Sequence, residues 1–285
     1  MLLSDLLDRG AELLSKAGIE TAEVDAQLLA AHVLGVSRGE LQANLFTDFE
    51  VENTEPFETL FEKRAERIPL QHLTGVAYFR NLELRVGPGV FIPRPETEVV
   101  AELAIQSLRA VPGEPIAVDL CTGSGSIAIA LATEVANSKV FAWEINPDSE
   151  ALLRENIRAN GGSVQLVMAD ISEEHDLFRE LAGKVDVVVS NPPYIPSWAI
   201  PRDLEVQLHD PELALYGGVD GMDIMKVVSQ RAAQLLKPGG FLVVEHAETQ
   251  AQIVADLFEV HGWRQIRSHR DLTARDRATS AVKAF

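Results

Sequence analysis

Ile116-Ala117-Val118-Asp119-Leu120-Cys121-Thr122-Gly123-Ser124-Gly125-Ser126-Ile127-Ala128 passes from a short apolar strand, through a glycine-rich turn, into a helix. Gly123, Gly125 and Ala128 fit the spacing G-x-G-x-x-G/A, whose small residues permit a tight turn, close approach of backbone to ligand, and close packing of helix on strand. Such a loop also occurs without a ligand, so the strand before it and the helix after it carry the reading. Downstream, the pattern predicts a helix over 126–135, a strand from Val140 to Trp143, a helix over 148–159 and a strand from Val164 to Met168. A fourth strand is expected from Val185 to Val189, and a helix over 222–236 that stops at Lys237-Pro238-Gly239-Gly240. A fifth strand then covers Phe241 to Val244. Apolar strands alternating with amphipathic helices predict an α/β domain with a mostly parallel sheet and helices on both faces. Its ligand crevice is expected at the carboxyl ends of the strands, where strand order reverses.

Upstream, residues 1–74 read as a small helical N-terminal domain. Leu2, Leu3, Leu6, Leu7, Leu13 and Leu14 recur at helical spacing, as do Val24, Leu28, Leu29 and Val33 before a stop at Gly35. Ser37 and Glu40 fit a capping box, and a further helix should run through Phe57, Leu60, Phe61 and Ala65 and end before Pro69. Residues 75–90 change period: Leu82, Leu84 and Val86 alternate with Glu83 and Arg85, which predicts a β-hairpin linker acting as a hinge. Pro93-Arg94-Pro95-Glu96 then opens a helix, so the α/β domain is expected over 91–285.

Composition narrows the function classes. With 46% hydrophobic and 24% charged residues, the chain of 285 residues has the means to build a packed core and room for two domains. The first residues meet acids at Asp5 and Asp8 with no basic leader, so a helix is expected there rather than a signal peptide, and no apolar run reaches membrane-spanning length. One cysteine, Cys121, excludes an intramolecular disulfide and a cysteine-rich zinc site; no metal and a cytoplasmic location are expected. The formal charge of −18 argues against direct binding of nucleic acid, which calls for clustered Lys and Arg. Residues 1–75 hold six Lys/Arg against fourteen Asp/Glu, which suits either solvated helix faces or a basic partner.

Glu144 closes the second strand, 19 positions after Gly125, where a carboxylate accepts hydrogen bonds from ribose hydroxyls. Glycine loop and acid together imply a nucleoside cofactor but do not separate a nicotinamide dinucleotide from S-adenosylmethionine. Asp170, ending the third strand, is placed to accept from an adenine amino group with Ile171 beside it, or to cap a helix before Glu173 and Glu174. Ser190-Asn191-Pro192-Pro193-Tyr194 at the end of the fourth strand separates the two cofactors. The nitrogen of an amide or exocyclic amine is a poor nucleophile because its lone pair is conjugated, so an enzyme must orient the NH2 group. The Asn191 side-chain carbonyl and the Pro192 backbone carbonyl can each accept one N–H, the prolines stiffen the loop, and the Tyr194 ring offers a flat face to a planar group. An oxidoreductase or a non-catalytic nucleoside-binding module leaves this loop unexplained.

Through these motifs the chain resembles the release-factor glutamine methyltransferases of the PrmC/HemK family. The resemblance runs over nearly the whole length, through Pro69-Leu70-Gln71-His72-Leu73-Thr74-Gly75, Phe91-Ile92-Pro93-Arg94-Pro95-Glu96-Thr97-Glu98, the glycine loop, Asn191-Pro192-Pro193-Tyr194-Ile195 and Ala214-Leu215-Tyr216-Gly217-Gly218 with Asp220-Gly221. It implies a Rossmann-like class I methyltransferase fold with a seven-stranded sheet. It further implies methyl transfer from S-adenosylmethionine to N5 of the glutamine in the Gly-Gly-Gln motif of class-1 peptide chain release factors. Carried over by position, Cys121, Thr122, Gly123, Ser124, Gly125, Glu144, Asp170, Ile171 and Asn191 would bind the cofactor. Asn191, Pro192, Pro193 and Tyr194 would hold the glutamine, with Asn191, Pro192 and Tyr194 catalytic, and Phe91 and Arg94 nearby. The helical domain would dock the substrate. Adenine-N6 methyltransferases of nucleic acid share the Asn-Pro-Pro-Tyr logic and form the alternative, which the acidic charge disfavours. A monomer is expected, and His246 is expected to be structural. Four residues depart from the family pattern: Cys121 for Gly, tolerable away from positive φ; Asp210 for Glu before Pro211; Ile171 for an aromatic; and Ala247 for Gly.

Overall fold

The computed structural model describes all 285 residues, which divide into two units: Met1–Val76 with Arg202–His209, and Ala77–Pro201 with Asp210–Phe285. The first unit contains α1 (Leu3–Lys16), α2 (Ala22–Leu34), α3 (Arg38–Leu45), α4 (Glu55–Ala65) and α5 (Leu70–Thr74). Leu3, Leu6, Leu14, Leu29, Phe57 and Phe61 make its core. A Cβ at Gly10 would lie 2.6 Å from the Phe61 ring, so α1 meets α4 closely only because residue 10 is glycine. α2 ends at Gly35 in the left-handed region, φ 65°, where glycine bears no steric cost. Ser37 and Glu40 close the expected capping box on α3.

In this unit Arg64 is buried between two acids, its Nε donating to Asp25 Oδ2 at 2.8 Å and its Nη1 to Glu205 Oε1 at 2.8 Å. Arg67 Nη1 reaches the same Glu205 oxygen at 3.1 Å. The short helix that carries Glu205 thus belongs by contact to the helical unit, although its sequence lies far downstream.

The second unit begins with the hairpin β1 (Val76–Phe79) and β2 (Leu82–Arg85). Then come α6 (Thr97–Arg109), β3 (Ile116–Leu120), α7 (Ser126–Glu134), β4 (Lys139–Glu144), α8 (Glu150–Ala159), β5 (Val164–Met168), α9 (Asp176–Leu181) and β6 (Val185–Ser190). The short α10 (Leu204–His209), counted with the helical unit, and α11 (Glu212–Leu215) follow. The chain closes with α12 (Asp223–Leu235), β7 (Leu236–Glu245), α13 (Ala251–Val260), β8 (Arg264–Arg270) and β9 (Asp276–Val282). The seven strands lie in the order β5-β4-β3-β6-β7-β9-β8, parallel from β5 to β7, with β9 running antiparallel to both its neighbours, β7 and β8.

Strand alternation divides the core in two. Ala117, Val187, Val189 and Val243 face α6, α7 and the hairpin residues Phe79, Leu82 and Leu84. Val118, Leu120, Val188 and Val244 face α9, α12 and α13. The expected hinge hairpin therefore commits its apolar side to the core of the α/β unit. β6 is buried at every position, as a central parallel strand must be. Its one charged residue, Asp186, accepts from Ile116 N at 2.8 Å and pairs with Lys237.

Two expectations are corrected. Lys237-Pro238-Gly239-Gly240 lies inside β7, because Leu236 already pairs with Val185 and the strand absorbs the turn residues through a register shift. Asp170 does not cap a helix: its Oδ1 accepts from Ser172 N at 2.7 Å in a turn, and α9 begins only after a cap by His175.

Removing Arg64 leaves the buried Asp25 without a cation and Glu205 with Arg67 alone, so Arg64→Ala should destabilise the protein by about 3–5 kcal/mol. Denaturant titration of the variant checks this, and a loss under about 1 kcal/mol contradicts the buried-clamp description.

Candidate active site

The topology reverses at β3. The chain moves outward from β3 to β4 and β5, then returns to place β6 on the other side of β3. That switch point opens a crevice at the carboxyl ends of β3 and β6. Leu120 pairs with Ser190, and the Ser190 hydroxyl donates to the Leu120 carbonyl at 2.6 Å. Cys121 and Asn191, the next residue on each strand, therefore emerge side by side.

The glycine loop is held from beneath. Thr122 Oγ1 donates to Asp119 Oδ2 at 2.6 Å, and Ala128 N, in the first turn of α7, donates to the same oxygen at 3.1 Å. Gly125 sits at φ 85°, and a Cβ there would stand 2.6 Å from Leu153 of α8. Gly123, at φ 57°, is open by contrast: a Cβ there would meet only Phe91, at 4.0 Å. Ser124 is buried, and its carbonyl accepts from Asn156 Nδ2 at 3.0 Å. The buried Asn156 also receives Arg85 N at 2.6 Å, so one side chain ties hairpin to loop.

Cys121 departs from what its tolerance requires. Its φ is 63°, so the loop demands the left-handed region there and a non-glycine residue is strained by about 1 kcal/mol. The thiol packs against the core below α12, and burial pushes its pKa well up, which keeps it protonated. The other departures are accommodated. Asp210 still reaches Arg94, Oδ2 to Nη2 at 2.8 Å; Ala247 is not at positive φ; and Ile171 is buried in the core cluster of Trp143 and Phe178.

Glu144, at the carboxyl end of β4, braces the loop. Gly123 N donates to Oε2 at 2.7 Å, while Ile145 N and Asn146 N donate to Oε1 at 3.0 and 2.8 Å. Burial raises its pKa, and these backbone donors oppose the rise. Beyond it, the Asp170–Glu174 turn is held by the buried Arg231, which donates to the carbonyls of Ile171 at 3.0 Å and Glu173 at 3.0 Å. Arg231 also lies over the Phe178 ring at 4.3 Å, and that ring stacks on Trp143 at 4.5 Å.

On the β6 side, Asn191 Nδ2 donates to Thr97 Oγ1 at 3.3 Å, and the Tyr194 hydroxyl to Glu245 Oε1 at 3.3 Å. Pro192 and Pro193 are buried. The loop rests on backbone: Ile195 N donates to Leu215 O and Gly217 N to Ile195 O, each at 2.9 Å. A Cβ at Gly217 would stand 2.4 Å from the Pro193 carbonyl oxygen, and one at Gly221 2.2 Å from that of Tyr194. Gln250 Nε2 donates to the Tyr194 carbonyl at 2.9 Å. Arg94 stands over the Phe91 ring at 5.3 Å, beside the glycine loop. His246 is fully buried, one ring nitrogen against the Ala247 carbonyl at 2.9 Å and the other against the Thr279 hydroxyl at 2.8 Å, which leaves no nitrogen for chemistry.

The structure therefore gathers Cys121–Gly125, Glu144, Asp170, Ile171 and Asn191–Tyr194 along one end of the sheet. Sequence reading missed the residues that hold them: Thr97, Asn156, Arg231, Glu245 and Gln250. Glu245 ends β7 as Glu144 ends β4, and an acid closing an apolar strand is the one signal that pointed to it.

Comparison with known proteins accords with this geometry. Residues 5–75 match the family described as PrmC N-terminal domain, and residues 81–205 the family described as methyltransferase small domain. The chain is 46% identical to the release factor glutamine methyltransferase of Streptomyces coelicolor, across 100% of this chain and 99% of the relative. It is 44% identical to that of Mycolicibacterium smegmatis, across 99% and 98%. Among solved structures, a methyltransferase from Pyrococcus furiosus superposes with a TM-score of 0.54 at 19% identity, covering 82% of this chain and 100% of its own, a likeness of fold alone.

The buried Asp119 yields a pH prediction. Burial pushes its carboxyl from 3.8 up to about 7, with the Thr122 hydroxyl and Ala128 amide pulling the other way. The folded state thus binds this proton more tightly than the unfolded chain, so its ionisation destabilises the fold as pH rises through the window from about 4 to 7. Melting temperatures of the cofactor-free protein should show Asp119→Asn gaining on wild type across that window and holding its lead above it. A pH-independent difference contradicts the assignment.

Proposed function

The chain belongs to the release factor glutamine methyltransferases, and from that premise we propose how its two strand-end loops divide the work. It is an S-adenosylmethionine-dependent protein-(glutamine-N5) methyltransferase. We infer that the β3 and β4 ends hold the cofactor and the β6 end holds the glutamine. The observation that carries this division is the pairing of Leu120 with Ser190, which sets Cys121 and Asn191 at the mouth of one crevice.

The residues fit the cofactor. Gly123 leaves open ground before the loop, and Glu144 keeps lone-pair directions on both oxygens beyond its three backbone donors. Asp119 Oδ1 is buried with no hydrogen bond. Glu144 would accept from the ribose hydroxyls, Asp170 from the adenine amino group, and Ile171 would pack against the base, with the Cys121–Gly125 backbone along the methionine portion. When bound, S-adenosylmethionine supplies a methyl group made electrophilic by a positively charged sulfur.

Asn191 Oδ1 and the Pro192 carbonyl would each accept one N–H of the glutamine amide, which turns the nitrogen toward the crevice. Such preorganised acceptors act without reorganising during the reaction, because Pro192 and Pro193 fix the loop's φ angles and the Gly217–Gly221 backbone supports it. Tyr194, tethered through its hydroxyl, would cover one face of the amide. The nitrogen's proton is lost after transfer, when the methylated amide is strongly acidic, so no strong base is required of the site.

The substrate is a release factor, and the reading extends to the glutamine of the Gly-Gly-Gln motif in class-1 factors. The acidic helical unit suits docking of a protein that itself binds RNA and carries basic surface. No helix is long and apolar enough to cross a membrane. We place the enzyme in the cytoplasm as a monomer that does not act directly on nucleic acid.

The test is transfer of labelled methyl to a purified class-1 release factor, to the same factor with Gln→Ala in its Gly-Gly-Gln motif, and to duplex DNA. Label on the intact factor alone is the expected result. Label on DNA, or equal label on both forms of the factor, overturns the substrate assignment.

A further inference from the structure

Beneath the Asn191–Tyr194 loop lie two buried polar side chains that the mechanism above leaves without a role, Thr97 at the start of α6 and Glu245 at the end of β7, 3% and 2% exposed. Burying such groups in an apolar sheet is costly unless they are hydrogen-bonded. Their bonds run to the two ends of the loop. Thr97 Oγ1 accepts from Asn191 Nδ2, and Glu245 Oε1 accepts from the Tyr194 hydroxyl. Glu245 Oε2 is buried with no close hydrogen-bond partner. Burial pushes the Glu245 pKa up to about 7, and of the groups that oppose the rise the Thr97 hydroxyl acts most strongly, ahead of Arg277 and Tyr194.

The direction of these bonds has a chemical consequence. A threonine hydroxyl has one proton to donate, and Glu245, once ionised above a pH of about 7, only accepts. A Thr97 that turns its proton toward Glu245 keeps only lone pairs for Asn191, so Asn191 must present its NH2 group to Thr97. Its carbonyl Oδ1 then faces the opposite way. Flipped by 180°, Asn191 would set its own NH2 against the NH2 of an incoming glutamine, donor against donor.

We propose that Thr97 and Glu245 are positioning residues of the glutamine site: the buried carboxyl orients the Thr97 hydroxyl, and that hydroxyl fixes the Asn191 amide with its oxygen toward the substrate. The same carboxyl tethers Tyr194, so one group under the loop sets both walls of the clamp. The site thereby takes a ligand that donates two N–H bonds, a primary amide, and turns away a carboxylate of the same shape. The inference rests on the reading of Asn191–Tyr194 as the glutamine clamp.

The test compares Thr97→Val, which keeps the shape and loses the hydroxyl, with Thr97→Ser, which keeps the hydroxyl and loses a methyl group. In the full-length enzyme, Thr97→Val should lower kcat by about 10–100-fold, the effect of one unmade buried hydrogen bond. Its calorimetric affinity for S-adenosylmethionine should stay within about threefold and its KM for the release factor should change less than kcat. Thr97→Ser should restore kcat to within about fivefold of wild type. Glu245→Met should slow the reaction at least as much as Thr97→Val, since it also frees the Tyr194 hydroxyl, and the double variant should be no slower than Glu245→Met by more than about twofold, since Thr97 acts through that carboxyl.

The opposite ranking, with Thr97→Val active and Thr97→Ser impaired, would assign Thr97 to packing and overturn the proposal. So would multiplicative losses in the double variant, or a fall in cofactor affinity that parallels the fall in rate. A wild-type enzyme silent on the release factor is a different failure, which removes the clamp reading itself and the proposal with it.

Discussion

The parallel pairing of β3 with β6 is the constraint from which the rest of the site follows. Both strands are buried at almost every position, so their register cannot slip without turning valines and leucines away from the two cores. With Leu120 opposite Ser190, the glycine loop and Asn191 leave the sheet at the same level. One residue of slip would exchange the two faces and separate the loops. The Ser190 hydroxyl on the Leu120 carbonyl adds a bond between the two strands where pairing gives way to loops.

Around that pairing, the site is held by buried polar groups rather than by more apolar surface. Asp119, Glu144 and Glu245 each end or nearly end a strand at the crevice, and burial raises the pKa of all three. Such carboxyls are costly to the fold, which concentrates them where geometry matters more than stability. Each is hydrogen-bonded to the loop it supports. On the β6 side the support is backbone on backbone, and Gly217 and Gly221 are required because any side chain there would strike the carbonyls of Pro193 and Tyr194.

Much of this was legible in the sequence because it depends on local pattern. β3 and β5 fall where their apolar runs place them, and the glycine loop, Glu144 and Asn191 announce themselves by their position after a strand. What was not legible depends on contacts distant in sequence. β8 carries a single apolar residue, Ile266, and β9 buries Thr279 and Ser280, so neither shows a hydrophobic period of two. Those hydroxyls are buried because His246 and His269 bond them, which no local window reveals. Thr97 and Asn191 meet across 94 residues, and Arg231 and Ile171 across 60. The strain at Cys121 was hidden too, since φ is a property of the folded loop.

The central claim is that Asn191 serves the reacting amide more than the cofactor, and single-turnover kinetics of Asn191→Ala with saturating S-adenosylmethionine and release factor test it most directly. The account predicts a rate lower by about 10²–10³, as for loss of one preorganised hydrogen bond in a transition state. Cofactor affinity measured by calorimetry should fall less than about tenfold. A near-normal rate in a correctly folded variant, or a loss confined to cofactor affinity, would contradict it.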